Sequence, residues 1–184
     1  MSEFEDAVTV ILANEGGLVD DEKDPGGLTN YGISLRFLTN TSGERLRQYG
    51  IVYNDQEHLK DLLKTMSPTQ AKAIYKGEFW DAANYGSINN QHVVNYIFDM
   101  VVNMGPAEAI KCSQRAIWAW SQRSIALLDD GILGKTTVGA INQVGLFILA
   151  PLRSERSNFY RMDVLRHPDK QKFLDGWLKR TYSF

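Results

Sequence analysis

One segment, residues 91–104, limits the possible folds of this chain more than any other. As a helix it would be apolar around most of its circumference, through Val93, Val94, Ile97, Phe98 and Val101. A helix of this kind is usually buried at the centre of a domain. Gly105-Pro106 follows directly and is expected to break the helix, because proline has no backbone donor. The chain therefore needs other helices to cover this one.

Further helices are predicted from caps and from apolar periodicity. Ser2 with Glu5 forms a capping-box pattern at the start of the first helix, and Ser67-Pro68 begins another. The remaining predicted helices cover residues 34–39, 55–64, 106–123, 136–161 with a break or kink at Pro151, and 171–180. The Asp-rich and Gly-rich segment between them favours turns. The predicted class is mainly α (α+β), with a small β element near residues 18–34.

Composition and charge exclude several classes of protein. A chain of 184 residues fits one compact unit, and its single cysteine, Cys112, permits no internal disulfide and is expected to be a small buried hydrophobe. A net charge of −2 argues against a nucleic-acid binder, because phosphate contacts need a basic surplus. The histidines His58, His92 and His167 are scattered without metal-ligand spacing, so we expect no metal and no cofactor.

Glu15 is the strongest candidate for chemistry. It stands at the end of the first predicted helix, where the negative end of the helix dipole and the apolar Ile11 and Leu12 are expected to raise the pKa of its carboxyl group. A general acid at neutral pH needs such a shift, although an exposed terminal glutamate would explain the position equally well. Second carboxylates follow at Asp20, Asp21 and Asp24, and paired carboxyls are what glycoside hydrolysis requires.

Calcium binding is an alternative for these aspartates, because hard cations prefer carboxylate oxygens. The spacing of the three residues does not match that of an EF-hand loop, so metal binding is the weaker interpretation.

Six ordered sequence blocks carry a resemblance to a known family. The first two blocks are Glu-Gly-Gly-Leu-Val at 15–19 and Asp-Pro-Gly-Gly-Leu-Thr-Asn-Tyr-Gly-Ile at 24–33. The others lie at 74–80, 98–105, 130–137 and 173–180. Together they resemble glycoside hydrolase family 108, which contains bacteriophage and bacterial N-acetylmuramidases with a lysozyme-like fold. The resemblance covers most of the chain.

The resemblance implies roles for several residues. Glu15 matches the glutamate that is the catalytic acid of the family, and the order of Glu15, Asp24 and Thr29 is similar to phage-type lysozymes, in which the last two help to hold the attacking water. Asp24 could instead cap the turn that follows it, and Thr29 could serve only in a hairpin. The second half resembles a predicted peptidoglycan-binding region. Residues 1–90 are thus predicted to form a muramidase segment and residues 91–184 a wall-binding segment of one compact unit.

Aromatic residues beside turns are candidates for sugar binding, because saccharides need flat apolar faces with polar rims. These candidates are Tyr31, Trp80 and Tyr85, for which core packing is the alternative. Asn103 shares a helix face with Asp99 and could contact substrate, although bracing the site from behind is favoured for both. The tryptophans that lie within predicted helices are expected in the core, namely Trp118, Trp120 and Trp177.

The expected activity is hydrolysis of the β-1,4 bond between N-acetylmuramic acid and N-acetylglucosamine in bacterial peptidoglycan. The alternatives are a lytic transglycosylase and a non-catalytic wall-binding or secretion-accessory protein. We see no signal peptide and no membrane span, which suits a phage endolysin made in the cytoplasm and released to the wall through a holin. The basic last 34 residues are expected to meet anionic wall polymer through Arg153, Arg156 and Arg161.

Overall fold

The computed structural model of the chain describes residues 2–14, 17–18 and 27–183. Contacts divide the chain into an N-terminal unit, residues 8–82, and a C-terminal unit, residues 1–7 with 83–184. Helices dominate both units, and the strands among the described residues form one short hairpin. The predicted mainly α class with a small β element is therefore confirmed. The assignment of separate functions to residues 1–90 and 91–184 remains a prediction.

The N-terminal unit contains most of the first helix, the hairpin and four further helices. In chain order these are α1 (Phe4–Asn14), β1 (Thr29–Asn30), β2 (Ile33–Ser34), α2 (Leu35–Asn40), α3 (Gly43–Gln48), α4 (Gln56–Lys64) and α5 (Pro68–Ile74). Helix α5 begins as predicted, because Ser67 and Gln70 form a complete capping box. Helix α3 is not predicted, since Leu46 is its one buried residue and it has no apolar period.

A π-helical segment, Tyr75–Trp80, continues directly from α5. Its Gly77 lies against the ring of Tyr49, and a Cβ atom at this position would overlap the Tyr49 hydroxyl group. That hydroxyl donates a 2.7 Å hydrogen bond to Glu78 in the same segment. Glycine at 77 therefore permits the tyrosine to approach the π-helix, and π-helical turns of this kind often occur at functional sites.

The C-terminal unit is built around the apolar helix that the sequence singled out. Its helices are α6 (Gln91–Met104), α7 (Pro106–Ser121), α8 (Lys135–Val144), α9 (Leu149–Arg166) and α10 (Leu174–Tyr182). Helix α6 has the predicted bounds and buries eight of its fourteen residues. The break predicted at Pro151 lies earlier, at Gly145, whose φ of 58° ends α8. Pro151 is accommodated in the first turn of α9, where its missing N–H costs no helical hydrogen bond.

Among the described residues, no helix combines the length and the apolar character that crossing a bilayer requires.

Candidate active site

The two carboxylates predicted to do the chemistry, Glu15 and Asp24, lie outside the described residues, as do Asp20 and Asp21. Their roles therefore stay predictions. Helix α1 ends at Asn14, so Glu15 is the residue that directly follows the helix in sequence. The described structure resumes at Gly27, two residues before the hairpin that carries Thr29.

The hairpin is a two-residue turn between two short strands. Thr29 pairs with Ser34 and Asn30 with Ile33, which leaves Tyr31 and Gly32 as the connecting residues. Both have positive φ, 49° for Tyr31 and 74° for Gly32, as a type I′ turn requires. The Thr29 hydroxyl donates a 3.2 Å hydrogen bond to the Gly27 carbonyl. Thr29 is thus held in the hairpin by its backbone and by its side chain.

Side-chain hydrogen bonds to two other elements, α4 and the π-helical segment, fix this hairpin. The Asn30 amide donates to the carbonyls of Leu63 and Lys64 at 2.9 and 3.2 Å, and so caps the C-terminal end of α4. The Tyr75 hydroxyl, at the start of the π-helical segment, donates a 2.7 Å hydrogen bond to the Tyr31 carbonyl. Sequence patterns did not identify either contact, because both join residues more than 30 positions apart.

The aromatic candidates occupy different environments. Tyr31 is half-buried at the tip of the hairpin. Trp80 is 7% exposed in the N-terminal unit, and Tyr85 is 1% exposed in the C-terminal unit, where its ring packs on Phe98 at 5.3 Å. Burial raises the pKa of the Tyr85 hydroxyl. Sugar contact by Trp80 or Tyr85 would require these rings to become exposed, and it remains a prediction.

The tryptophans assigned to the core from helix position fall in different environments too. Trp120 is 44% exposed, so the prediction of burial is wrong for this residue. It lies in α7 against Phe147, which is 72% exposed, with the two rings stacked at 6.3 Å. Trp118 and Trp177 are half-buried. The exposed Trp120 lies within one turn of buried residues of α7. The apolar periodicity of the helix therefore does not show which of these side chains is exposed.

Asn103 belongs to a hydrogen-bonded network inside the C-terminal unit. Its side-chain oxygen accepts from the Tyr160 hydroxyl, which in turn accepts from Arg156 at 3.1 Å. Arg156 also donates to Asp99 at 2.7 Å, and Arg180 donates to the other Asp99 oxygen at 2.6 Å. Asp99 and Asn103 are thus both engaged within the C-terminal unit, while bracing of the site and substrate contact by Asn103 remain predictions.

Arg156 corrects one expectation about the basic end of the chain. Its side chain is fully buried between Asp99 and the rings of Tyr96 and Tyr160, so it cannot meet an anionic polymer. The sequence did contain a signal for burial, since Leu152, Arg156 and Tyr160 recur every four residues on one face of α9. A long basic side chain on an apolar stripe indicates a buried partner of opposite charge.

Side chains that could ligate a metal or act as a nucleophile are a further source of chemistry in the described residues. No group of three or more His, Cys, Asp or Glu side chains among them is placed to hold a metal ion. Cys112 is 1% exposed, and burial raises the pKa of its thiol to about 12. The prediction of a buried, unreactive cysteine is thus confirmed, because a nucleophilic cysteine needs a lowered pKa.

Comparisons with known proteins agree with this fold. The structure reported as "Structure of Brucella abortus SagA" matches with a TM-score of 0.71 and 26% sequence identity. The match covers 97% of this chain and 88% of that chain, and supports the predicted mainly α, lysozyme-like fold. The comparison with curated proteins gives no match.

A family comparison addresses the chemistry. The sequence model described as Glycosyl hydrolase 108 matches residues 8–105, more than half of the 184-residue chain. The matched region contains the Glu-Gly-Gly motif at 15–17, the Tyr31-Gly32 hairpin and helix α6. The chain therefore belongs to glycosyl hydrolase family 108 and is a glycoside hydrolase that degrades peptidoglycan as an N-acetylmuramidase.

Proposed function

We propose that the chain hydrolyses the β-1,4 bond between N-acetylmuramic acid and N-acetylglucosamine with Glu15 as its general acid. Glu15 protonates the departing glycosidic oxygen, and a water held by Asp24 or Thr29 attacks the anomeric carbon. The observation that carries this proposal is the family match over residues 8–105, which includes the Glu-Gly-Gly motif. The fixed hairpin supports a positioning role for Thr29, since a hydroxyl that orients water needs a rigid backbone.

The reaction type is tested by the products. Digestion of purified peptidoglycan in heavy-oxygen water is expected to yield muropeptides with a free reducing end that carries the heavy oxygen. A lytic transglycosylase uses the muramoyl 6-hydroxyl in place of water and gives 1,6-anhydro products, each lighter by one water. Mass spectrometry distinguishes the two. Predominance of anhydro products without heavy oxygen would overturn the hydrolytic proposal.

Sugar contact by Tyr31 can be tested without disturbing the hairpin. Tyr31 adopts a left-handed conformation that asparagine tolerates better, and Asn-Gly is the preferred pair for this turn. Tyr31→Asn is therefore expected to keep or raise the melting temperature. If the ring stacks on substrate, KM for a soluble glycan rises by roughly tenfold, because an aromatic contact contributes about 1 kcal/mol or more.

The control for this substitution is Tyr53→Asn, a half-buried tyrosine of the same unit outside the hairpin. An unchanged KM in Tyr31→Asn would remove Tyr31 from the substrate site. A fall in melting temperature would contradict the turn geometry.

The biological role that we propose is that of a phage endolysin that reaches peptidoglycan through a holin-type pore. Support comes from the sequence blocks, which resemble a family that contains bacteriophage as well as bacterial muramidases. Expression in the cytoplasm of a bacterium is expected to leave cells intact until the inner membrane is permeabilised, after which they lyse. Rapid lysis without permeabilisation would contradict a requirement for a separate pore.

We further propose that the C-terminal half, residues 91–184, binds the wall.

A further inference from the structure

A groove follows the contact between α7 and α9 in the C-terminal unit. It consists of two adjacent cavities of about 620 and 450 Å³, which share Arg115 and Glu155 in their walls. The volumes lie in the range of sites that bind small ligands. None of the described candidate residues, Thr29, Tyr31, Trp80, Tyr85 and Asn103, is among its lining residues.

Two acidic residues of the groove, Glu155 and Asp129, retain unused hydrogen-bonding capacity, whereas its other two, Glu108 and Asp163, are ion-paired. Glu155 is half-buried and makes no hydrogen bond or ion pair with another described residue. Asp129 receives both contacts from Arg115 on one oxygen, Oδ2, at 2.8 Å, while its buried Oδ1 has no hydrogen-bond partner among the described residues. Burial raises the pKa of Glu155, the charge of Asp129 raises it further, and Arg115 opposes both effects. Three carboxylate oxygens, both of Glu155 and Oδ1 of Asp129, therefore accept no hydrogen bond within the described part of the chain.

A base and apolar surfaces complete the groove. Arg166 is exposed and has no hydrogen-bonding or ionic partner in the described part of the chain. Phe159 and Met162 lie beside it in the wall of the larger cavity. In the smaller cavity the Arg123 guanidinium covers the face of Trp118 at 4.9 Å. The lining thus offers carboxylates, a guanidinium group and apolar surface to one ligand.

This combination selects the chemical class of the ligand. A half-buried carboxylate without a partner, such as that of Glu155, is well satisfied by an ammonium group, and an unpaired guanidinium by a carboxylate. Anionic polymers lack the ammonium group and would be repelled by Glu155 and Asp129. Unmodified glycan lacks both charges. A peptide with a primary amine and free carboxylates matches the groove, and the stem peptide of peptidoglycan carries both because it contains a diamino acid.

We propose that the α7–α9 groove binds the stem peptide of peptidoglycan, with its ammonium group on Glu155 and Asp129 and a carboxylate on Arg166. This inference rests on the proposed function in one respect, that the enzyme meets peptidoglycan. The groove would then recognise peptide-bearing wall, while the proposed catalytic residues act on the glycan strand.

The test measures equilibrium binding of a synthetic stem tripeptide with a free side-chain amine, by calorimetry and by tryptophan fluorescence. Glu155→Gln is expected to weaken binding about tenfold or more, because a neutral amide replaces the charged acceptor of the ammonium group. Acetylating the amine of the peptide should weaken binding equally. Both changes together should cause no additional loss, since they remove the same interaction.

Matched variants distinguish recognition of the peptide by the groove from a general effect of removing a charge. Glu57→Gln, an exposed glutamate of α4, should leave binding unchanged. Arg166→Gln should weaken binding several-fold, whereas Arg47→Gln, which removes an exposed arginine from α3, should not. Equal effects of Arg47 and Arg166, or binding indifferent to Glu155→Gln and to acetylation, would overturn the proposal. The melting temperature of each variant verifies folding, and the exposed Arg166 provides a test that is independent of the half-buried Glu155.

The groove proposal and the catalytic proposal can fail independently of each other. Glu15→Gln should bind the tripeptide as the unmodified protein does, so tripeptide binding without hydrolysis would refute only the catalytic assignment. Hydrolysis of peptidoglycan without any binding of the tripeptide would refute only the groove.

Discussion

Replacing Asp99 with alanine is expected to lower the free energy of unfolding by about 3–5 kcal/mol, the largest effect on stability that we predict. Asp99 is fully buried and is the shared acceptor of Arg156, also fully buried, and of Arg180. Its removal leaves an arginine without its anion inside the C-terminal unit. A loss of this size is a large part of the total stability of such a chain, which is about 5–15 kcal/mol. It corresponds to a fall of roughly 10 °C in the melting temperature.

The matched control is Asp61→Ala, which removes an exposed carboxylate from α4 and should change stability by less than about 0.5 kcal/mol. The double variant Asp99→Leu with Arg156→Met should recover part of the loss, because apolar replacement of a buried pair is less costly than breaking it. Denaturant unfolding measures all three. A cost below about 1 kcal/mol for Asp99→Ala would show that the ion pairs are not a structural requirement.

Glu15→Gln is expected to reduce kcat on peptidoglycan by about 10²–10⁴-fold with little change in KM or melting temperature. Glutamine keeps the shape of the side chain but cannot donate the proton that the departing oxygen requires, and general acid catalysis contributes about this much. A selective loss of kcat is the result expected for a group that acts only in the transition state. Release of reducing ends from purified wall provides the measurement.

Glu5→Gln, in the first turn of α1, supplies the control, since it changes the same residue type in the adjoining helix. It should retain full activity. Asp24→Asn and Thr29→Ala then separate the two residues proposed to hold water, because the one that orients the nucleophile should lower kcat while the other leaves it nearly unchanged. Comparable activity of Glu15→Gln and unmodified protein would assign the acid to another residue.

Part of the candidate site could be predicted from local sequence. The Tyr31-Gly32 turn, the caps at Ser34, Asp55 and Ser67, and the bounds of α6 all follow from residues close in the chain. The contacts that hold the hairpin could not be predicted in this way. Tyr75 and Asn30 act across more than 30 positions, and a single sequence contains no signal for such pairing.

The sequence by itself determined the start of α5, the bounds and central place of α6, and the burial of Cys112, because capping and apolar periodicity act within a few turns. Tertiary structure alone decided that Arg156 is an internal partner of Asp99 and that Trp120 is exposed. It also decided that Glu155 faces a groove with no partner among the described residues. The physical reason is that burial and charge pairing depend on which helices pack together, and this is a property of the assembled unit.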